Sequence, residues 1–325
     1  MKYIRDRVMS NLSKKKIFSY LDQDYAKRPI AFFDETLINI SDYSSYDLDK
    51  IQEMSTLKEA YETNLLNNFL IDLSWKSSEM EGNSYTLLDS KTLLEYGQKV
   101  KDKPDDDAKM IINHKNAIQN LSKTKWPLSD DEWKNSLIKT NSLLLENLDK
   151  ENRGGLLRRY GELIITHSSY IPSSNGLLLD KMLIKINNVI LNQSPIIQSF
   201  HLFSRLPYLQ LFFDGNKRTS RLLCNLPLLS NNLIPLSMID IDKGEYIKAM
   251  IAFYELGDDS YLKDVFLLSY MSSILRYKPW TSEQKITLND KFDKICKQML
   301  NYIKGKGTCP KLFIKKNNTD DGLSL

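Results

Sequence analysis

Histidine and cysteine are both scarce in this chain of 325 residues, with three of each. The cysteines, Cys224, Cys296 and Cys309, show no paired spacing and have no histidine pair nearby. That argues against a disulfide framework and against a zinc site, and it points to a reducing compartment. Glycine (12) and proline (10) are few, so long irregular stretches are not expected. No apolar run approaches a membrane span; the longest kind is LLCNLPLL at 222–229. The opening MKYIRDRVMSNLSKKK lacks an apolar core segment and does not read as a signal peptide. The formal net charge is only +4 and is spread along the chain, a weak footprint for nucleic acid. These absences lead us to expect a soluble, cytoplasmic protein with no membrane partner and no nucleic-acid partner.

What remains is an ordinary globular composition, 42% apolar and 26% charged, long enough for one large domain or two. The periodicity is mostly helical. Residues 56–80 carry Leu65, Leu66, Phe69, Leu70 and Leu73 on one face. Gly82 and Asn83 break that helix, and Ser84 or Thr86 can cap a short one that stops at Gly97. KDKPDDD at 101–107 reads as a solvated loop, followed by amphipathic helices over 108–123 and 130–149. The segment 156–175 changes character: ELIIT is apolar and partly β-branched between turns, which predicts a short β-hairpin. Helices are expected again over 176–193 and 196–210, from Lys217 to a break at Pro227, up to the stop at Gly257, and twice more toward the C-terminus. The face Phe292, Ile295, Cys296, Met299 and Leu300 should pack on its own domain. The predicted fold is mainly α, with one small hairpin.

The run YLQLFFDGNKRTSR, 208–221, is where chemistry concentrates. Asp214-Gly215 signals a turn, and Asn216 is a suitable N-cap for a helix starting at Lys217. Free amides at such a helix start attract anions, phosphate above all. Arg218 and Arg221 are three apart and share a face, in the first turn where cations oppose the helix dipole unless an anion is bound. Arginine forks match phosphate oxygens, and Asp214 beside a polyphosphate is a natural Mg²⁺ ligand. On these residues alone the commoner reading is a helix start after a turn, with basic residues on a solvated face.

QLFFDGNKRTSR resembles the motif of Fic-domain proteins, matching at Phe212, Asp214, Gly215, Asn216, Lys217, Arg218 and Arg221. Upstream, SSEMEGN resembles the inhibitory helix many of them carry, with Ser77, Glu81 and Gly82 in place. ELIITHSSYIP looks like the family's flap, and EYIKAMIAFYELGD is similar to its pocket-closing helix. The resemblance implies a Fic-type helical bundle with a β-hairpin flap. It divides the chain into an N-terminal extension (1–55), a Fic-like domain (56–275, inhibitory helix about 60–82, flap about 160–172) and a helical tail (276–325). It further implies ATP and Mg²⁺ as cofactors and transfer of AMP to a Ser, Thr or Tyr hydroxyl of a protein target, unidentified here. Under it Asp214 holds the metal. Phe212, Gly215, Asn216, Lys217, Arg218 and Arg221 contact the nucleotide, and Glu81, with Ser77, blocks the γ-phosphate by pairing with Arg221. A homodimer is left open.

This sequence departs from the family at Gln210, which stands where the resemblance expects a histidine base. A glutamine amide can orient a hydroxyl but cannot take its proton. An adenylyltransferase restrained by Glu81 and slowed by Gln210 is one expectation; a nucleotide-binding pseudoenzyme is another. Lys217 resembles the Doc branch, which transfers phosphate, while Arg221 keeps the arginine of the AMP-transferring branch. Of the histidines, His201 is expected to be structural or exposed, His167 to sit on the flap, and His114 to belong to a helix outside the motif. No C-terminal winged helix is expected.

Overall fold

In the computed structural model, residues 12–57 and 63–314 are described. Helix α1 spans Leu12–Leu21; strand β1, Ala31–Phe32, follows and lies between 3₁₀ turns at Tyr25–Lys27 and Glu35–Ile38. Then come α2 (Leu48–Ser55), α3 (Thr63–Glu79), α4 (Leu87–Tyr96), α5 (Asp105–Leu121) and α6 (Asp130–Leu145). Strand β2, Tyr170–Ile171, precedes α7 (Gly176–Ile190), α8 (Pro195–Leu209), α9 (Asn216–Leu223), the short α10 (Leu226–Ser230), α11 (Lys243–Leu256), α12 (Ser260–Tyr277) and α13 (Ser282–Ile303).

Local chemistry sets these boundaries. Thr86, Ser129 and Thr281 each close a capping box with the residue three positions on, starting α4, α6 and α13. Gly97 and Gly257 end α4 and α11 in the left-handed region, as the sequence predicted. The 101–107 segment is a loop only as far as Pro104, because Asp105, Asp106 and Asp107 form the first turn of α5, where carboxylates favour the helix dipole.

Helices α8 and α12 are buried around nearly their whole circumference, as expected for helices at the centre of a core. α8 packs on α7, α9 and α10; α6 packs on α5 and α9; α3 packs on α4 and α5. Phe200, Phe203, Phe266 and Tyr270 interlock between α8 and α12, and truncating such a ring to alanine costs about 3–5 kcal/mol. One hydrophobic cluster runs from Ile17 to Ile303, and it includes Ile295, Met299 and Leu300 of α13.

The predicted hairpin takes a different form. Residues 156–175 turn at Thr166–His167, but no ladder joins their two limbs. Instead β2 pairs in parallel with β1, Ala31 opposite Tyr170 and Phe32 opposite Ile171. A β-branched run signals extended backbone, but it cannot name the partner, and here the partner lies in the N-terminal segment.

Candidate functional site

α8 ends where the site begins. Pro207 removes one amide from its last turn, and Gln210 closes the helix in the left-handed region (φ 49°). The Gln210 side chain is buried and tied at both ends. Its Nε2 donates to the Pro207 carbonyl at 2.7 Å, and its Oε1 accepts from Asn216 Nδ2 at 3.0 Å. Asn216 also grips the loop between them, its Oδ1 accepting from Phe212 N at 2.9 Å and its Nδ2 donating to the Phe212 carbonyl at 2.8 Å.

This corrects the expected cap. Gly215, in the left-handed region (φ 76°), is the N-cap of α9, and Asn216 is its first residue, with the side chain directed back to Phe212 and Gln210. No side chain caps α9, so its leading amides remain available to an anion. Only glycine fits at 215: a Cβ there would also meet Asn141 Nδ2 at 2.8 Å.

The two arginines diverge in partner. Arg218 pairs with Asp214, 2.7 Å from Nη2 to Oδ2, and its buried Nε has no acceptor. Asp214 stays largely open to solvent, its side chain 60% exposed. Arg221 is fully buried and reaches α3: Nη2 lies 2.6 Å from Glu81 Oε1 and 3.0 Å from the Ser77 carbonyl, and Nε donates to Ser77 Oγ at 3.0 Å. Its guanidinium sits 5.9 Å above the Tyr246 ring of α11, and its Nη1 has no acceptor.

Arg221 lies in the last turn of α9 and not in the first as expected, and Glu81 pairs with it there. Burial pushes its carboxyl up, but the charges of Arg221, Lys217 and Arg218 outweigh that and lower it to about 2. Burial pushes Lys217 down, and Glu81 opposes the shift. The carboxylate thus stands in a field of three cations of α9, where a phosphate would be equally favoured.

Sequence reasoning missed three residues that hold this arrangement. Asn141 of α6 donates to the Asp214 carbonyl at 3.0 Å and accepts from Gly155 N at 2.9 Å. Arg158 is buried; its Nε donates to the Gln210 carbonyl at 3.0 Å, Nη1 to Gly161 O at 3.0 Å and Nη2 to Ser173 O at 2.6 Å. It joins both ends of the flap-like segment to residue 210. His114 of α5 contacts Ser77 at 2.9 Å, so it belongs to this site and not to a helix remote from it. Two of the three left a signal. Asn141 interrupts the apolar stripe Leu137, Leu144, Leu145, and His114 the stripe Ile111, Ile118, Leu121. Arg158 lies outside any periodic element and left none. Of the other histidines, His201 is fully buried and His167 is exposed on the turn at 166–167. A groove lined by Met54, Leu57, Trp280 and Phe313 among others includes none of these residues.

Residues 133–228 match the model of the Fic/DOC family, so this stretch is a Fic/DOC family domain. No curated protein matches the sequence. Among solved structures, a fragment of Fic-1 from C. elegans is 21% identical, with a TM-score of 0.52 over 71% of this chain and 68% of that one. A Fic-domain-containing signalling protein from Bacteroides thetaiotaomicron is 16% identical, with a TM-score of 0.53 over 81% of this chain and 96% of that one. A Fic family protein from Desulfovibrio desulfuricans is also 16% identical, TM-score 0.54, over 76% and 77% of the two chains. At these identities the likeness is one of fold, and the mainly helical architecture is shared. No helix among the described residues is long and apolar enough to cross a membrane.

Proposed function

We propose that this chain is an ATP-dependent adenylyltransferase that transfers AMP to a Ser, Thr or Tyr hydroxyl of a protein, and that Glu81 restrains it. One observation carries the reading: Glu81 meets the buried Arg221 at 2.6 Å, within the field of Lys217 and Arg218 on the same uncapped helix α9. A carboxylate in that position competes with a phosphate for the same guanidinium. Removing it would leave Arg221, Lys217, Arg218 and the α9 amides facing an anion. Phe212 and Asn216 shape the loop beneath it.

The hydroxyl oxygen forms a bond to the α-phosphorus, the bond to the β-phosphate oxygen breaks, and pyrophosphate leaves. Gln210 cannot accept the hydroxyl proton, which passes to solvent, so the reaction is slow relative to one with a base. Asp214 fits Mg²⁺. It is an exposed hard-oxygen ligand, and no group of three or more His, Cys, Asp or Glu among the described residues could hold a metal. Mg²⁺ bound by one carboxylate plus substrate phosphates needs no such group. The ion would supply charge neutralisation on the phosphates.

The burial of Gln210 and its two ties favour a second reading, a nucleotide-binding regulator without transfer. Titrating ATP·Mg²⁺ into wild type and Glu81→Gly, then reading intact mass, separates the two. Glu81→Gly is expected to bind ATP at least tenfold tighter and to gain the mass of AMP. An added phosphate mass would mark a Doc-type phosphotransferase, and tighter binding without added mass would leave the regulator. No binding to either protein would refute both.

A further inference from the structure

We propose that His114 is a positioning residue for Arg221, acting through Ser77 as a neutral Nδ1–H imidazole. The inference rests on the reading of Arg221 as an anion-binding residue and adds what orients it.

The hydrogen-bond directions follow from the partners. His114 Nδ1 lies 2.8 Å from the Met110 carbonyl, which can only accept. Nδ1 therefore carries the proton. Ser78 Oγ, 3.2 Å from the same nitrogen, already donates to the Ser74 carbonyl at 2.7 Å, so it too accepts from His114. In the neutral ring Nε2 is then a bare acceptor, and its neighbour at 2.9 Å is Ser77 Oγ. Ser77 must donate to it. That leaves a Ser77 oxygen lone pair for Arg221 Nε–H at 3.0 Å.

The chain runs Arg221 to Ser77 to His114 to Met110, each link donating to the next. Ser77, His114 and Arg221 are all fully buried, so no water competes for these bonds. Burial, with the charges of Arg218 and Arg221, holds the imidazole neutral and lowers its pKa to about 3. The consequence is directional. With Nε fixed on Ser77 and the guanidinium planar, Nη2 faces Glu81 and Nη1 is left without an acceptor. A phosphate replacing Glu81 meets a guanidinium already held in place. Without the imidazole acceptor, the Ser77 hydroxyl is free to rotate and the Arg221 fork loses its reference.

The test is nuclear magnetic resonance on the full-length, deuterated protein. Imidazole ¹⁵N shifts at pH 7 should show His114 protonated on Nδ1 alone, a reading that needs no variant. The Arg221 Nε–H resonance should be visible and slow to exchange. His114→Leu and Ser77→Ala should each speed that exchange at least tenfold, and combining them should add no more than about twofold. His114→Gln, which offers Ser77 an amide oxygen, should recover most of the protection. An Nε2–H tautomer in the wild type would overturn the proposal, as would unchanged Arg221 exchange in a folded His114→Leu. Calorimetry with ATP·Mg²⁺ on the same samples keeps the two readings apart. Protected Arg221 with no ATP binding in wild type or Glu81→Gly leaves His114's role standing and removes the nucleotide.

Discussion

At residue 210 the backbone and the side chain carry separate messages. The position requires a left-handed conformation, which costs most side chains something and which histidine adopts more readily than most. The side chain present is a buried amide that bridges the Pro207 carbonyl and Asn216. An imidazole there could take the proton that glutamine cannot. Gln210→His, combined with Glu81→Gly, is therefore expected to raise transfer of label from ATP by about 10²–10⁴-fold over Glu81→Gly alone. A single-turnover assay with α-labelled ATP would measure it. Equal rates would mean that proton removal does not limit the reaction. The glutamine was legible in the sequence, but its double tie was not, because Asn216 reaches back against the direction an N-cap would take.

Among the elements, the flap-like segment has the most unusual support. It has no ladder of its own, and two buried charges hold it instead. Arg158 binds the carbonyls of Gly161 and Ser173 at its ends, along with that of Gln210. On the far side Glu255 of α11 accepts from Ser168 Oγ at 2.7 Å and Ser169 N at 2.9 Å, and it pairs with Arg28 at 3.1 Å. Arg28 in turn donates to the His167 carbonyl at 2.8 Å. No carboxylate among the described residues pairs with Arg158, so three carbonyl oxygens depend on it. Arg158→Met keeps much of the volume and strips those oxygens of donors. It should destabilise the fold by about 2–4 kcal/mol and raise hydrogen exchange across 158–173 well above that of α8. Urea unfolding and exchange mass spectrometry would check both. A segment that stays as protected as α8 would show that β1 and Glu255 suffice.

For the whole molecule, the buried histidines make stability depend on pH. His114 is lowered from 6.5 to about 3, and burial takes His201 well below its ordinary value as well. Between pH 6.5 and 3 the unfolded chain binds protons at these sites that the folded chain does not, so stability falls as the pH falls. Glu81, lowered from 4.5 to about 2, acts in the same direction. Its pairing stabilises fully above pH 4.5 and is lost as the pH drops toward 2. Moving from pH 7 to pH 5 should remove roughly 2 kcal/mol through His114 alone, with His201 acting in the same direction. Urea midpoints at the two pH values should reveal the loss, and His114→Gln should show a shallower decline. Identical slopes for the two proteins would mean His114 titrates normally in the fold.

The sequence by itself determined the helical periodicity, most helix stops, the glycine at 215 and the order of the motif pieces along the chain. Each of these is a local property, written in apolar spacing, capping chemistry or backbone conformation. Only the tertiary structure decided which pieces meet. Glu81 and Arg221 are separated by 140 residues, Arg28 and His167 by 139. No spacing along the chain encodes such distances. They are settled when α3, α5 and α9 pack together and the N-terminal segment takes the edge of β2. The same packing turned His114 from a polar interruption on an apolar stripe into the acceptor at the end of the Arg221–Ser77 chain. A buried donor must find a partner wherever the core has brought one, whatever its distance in sequence.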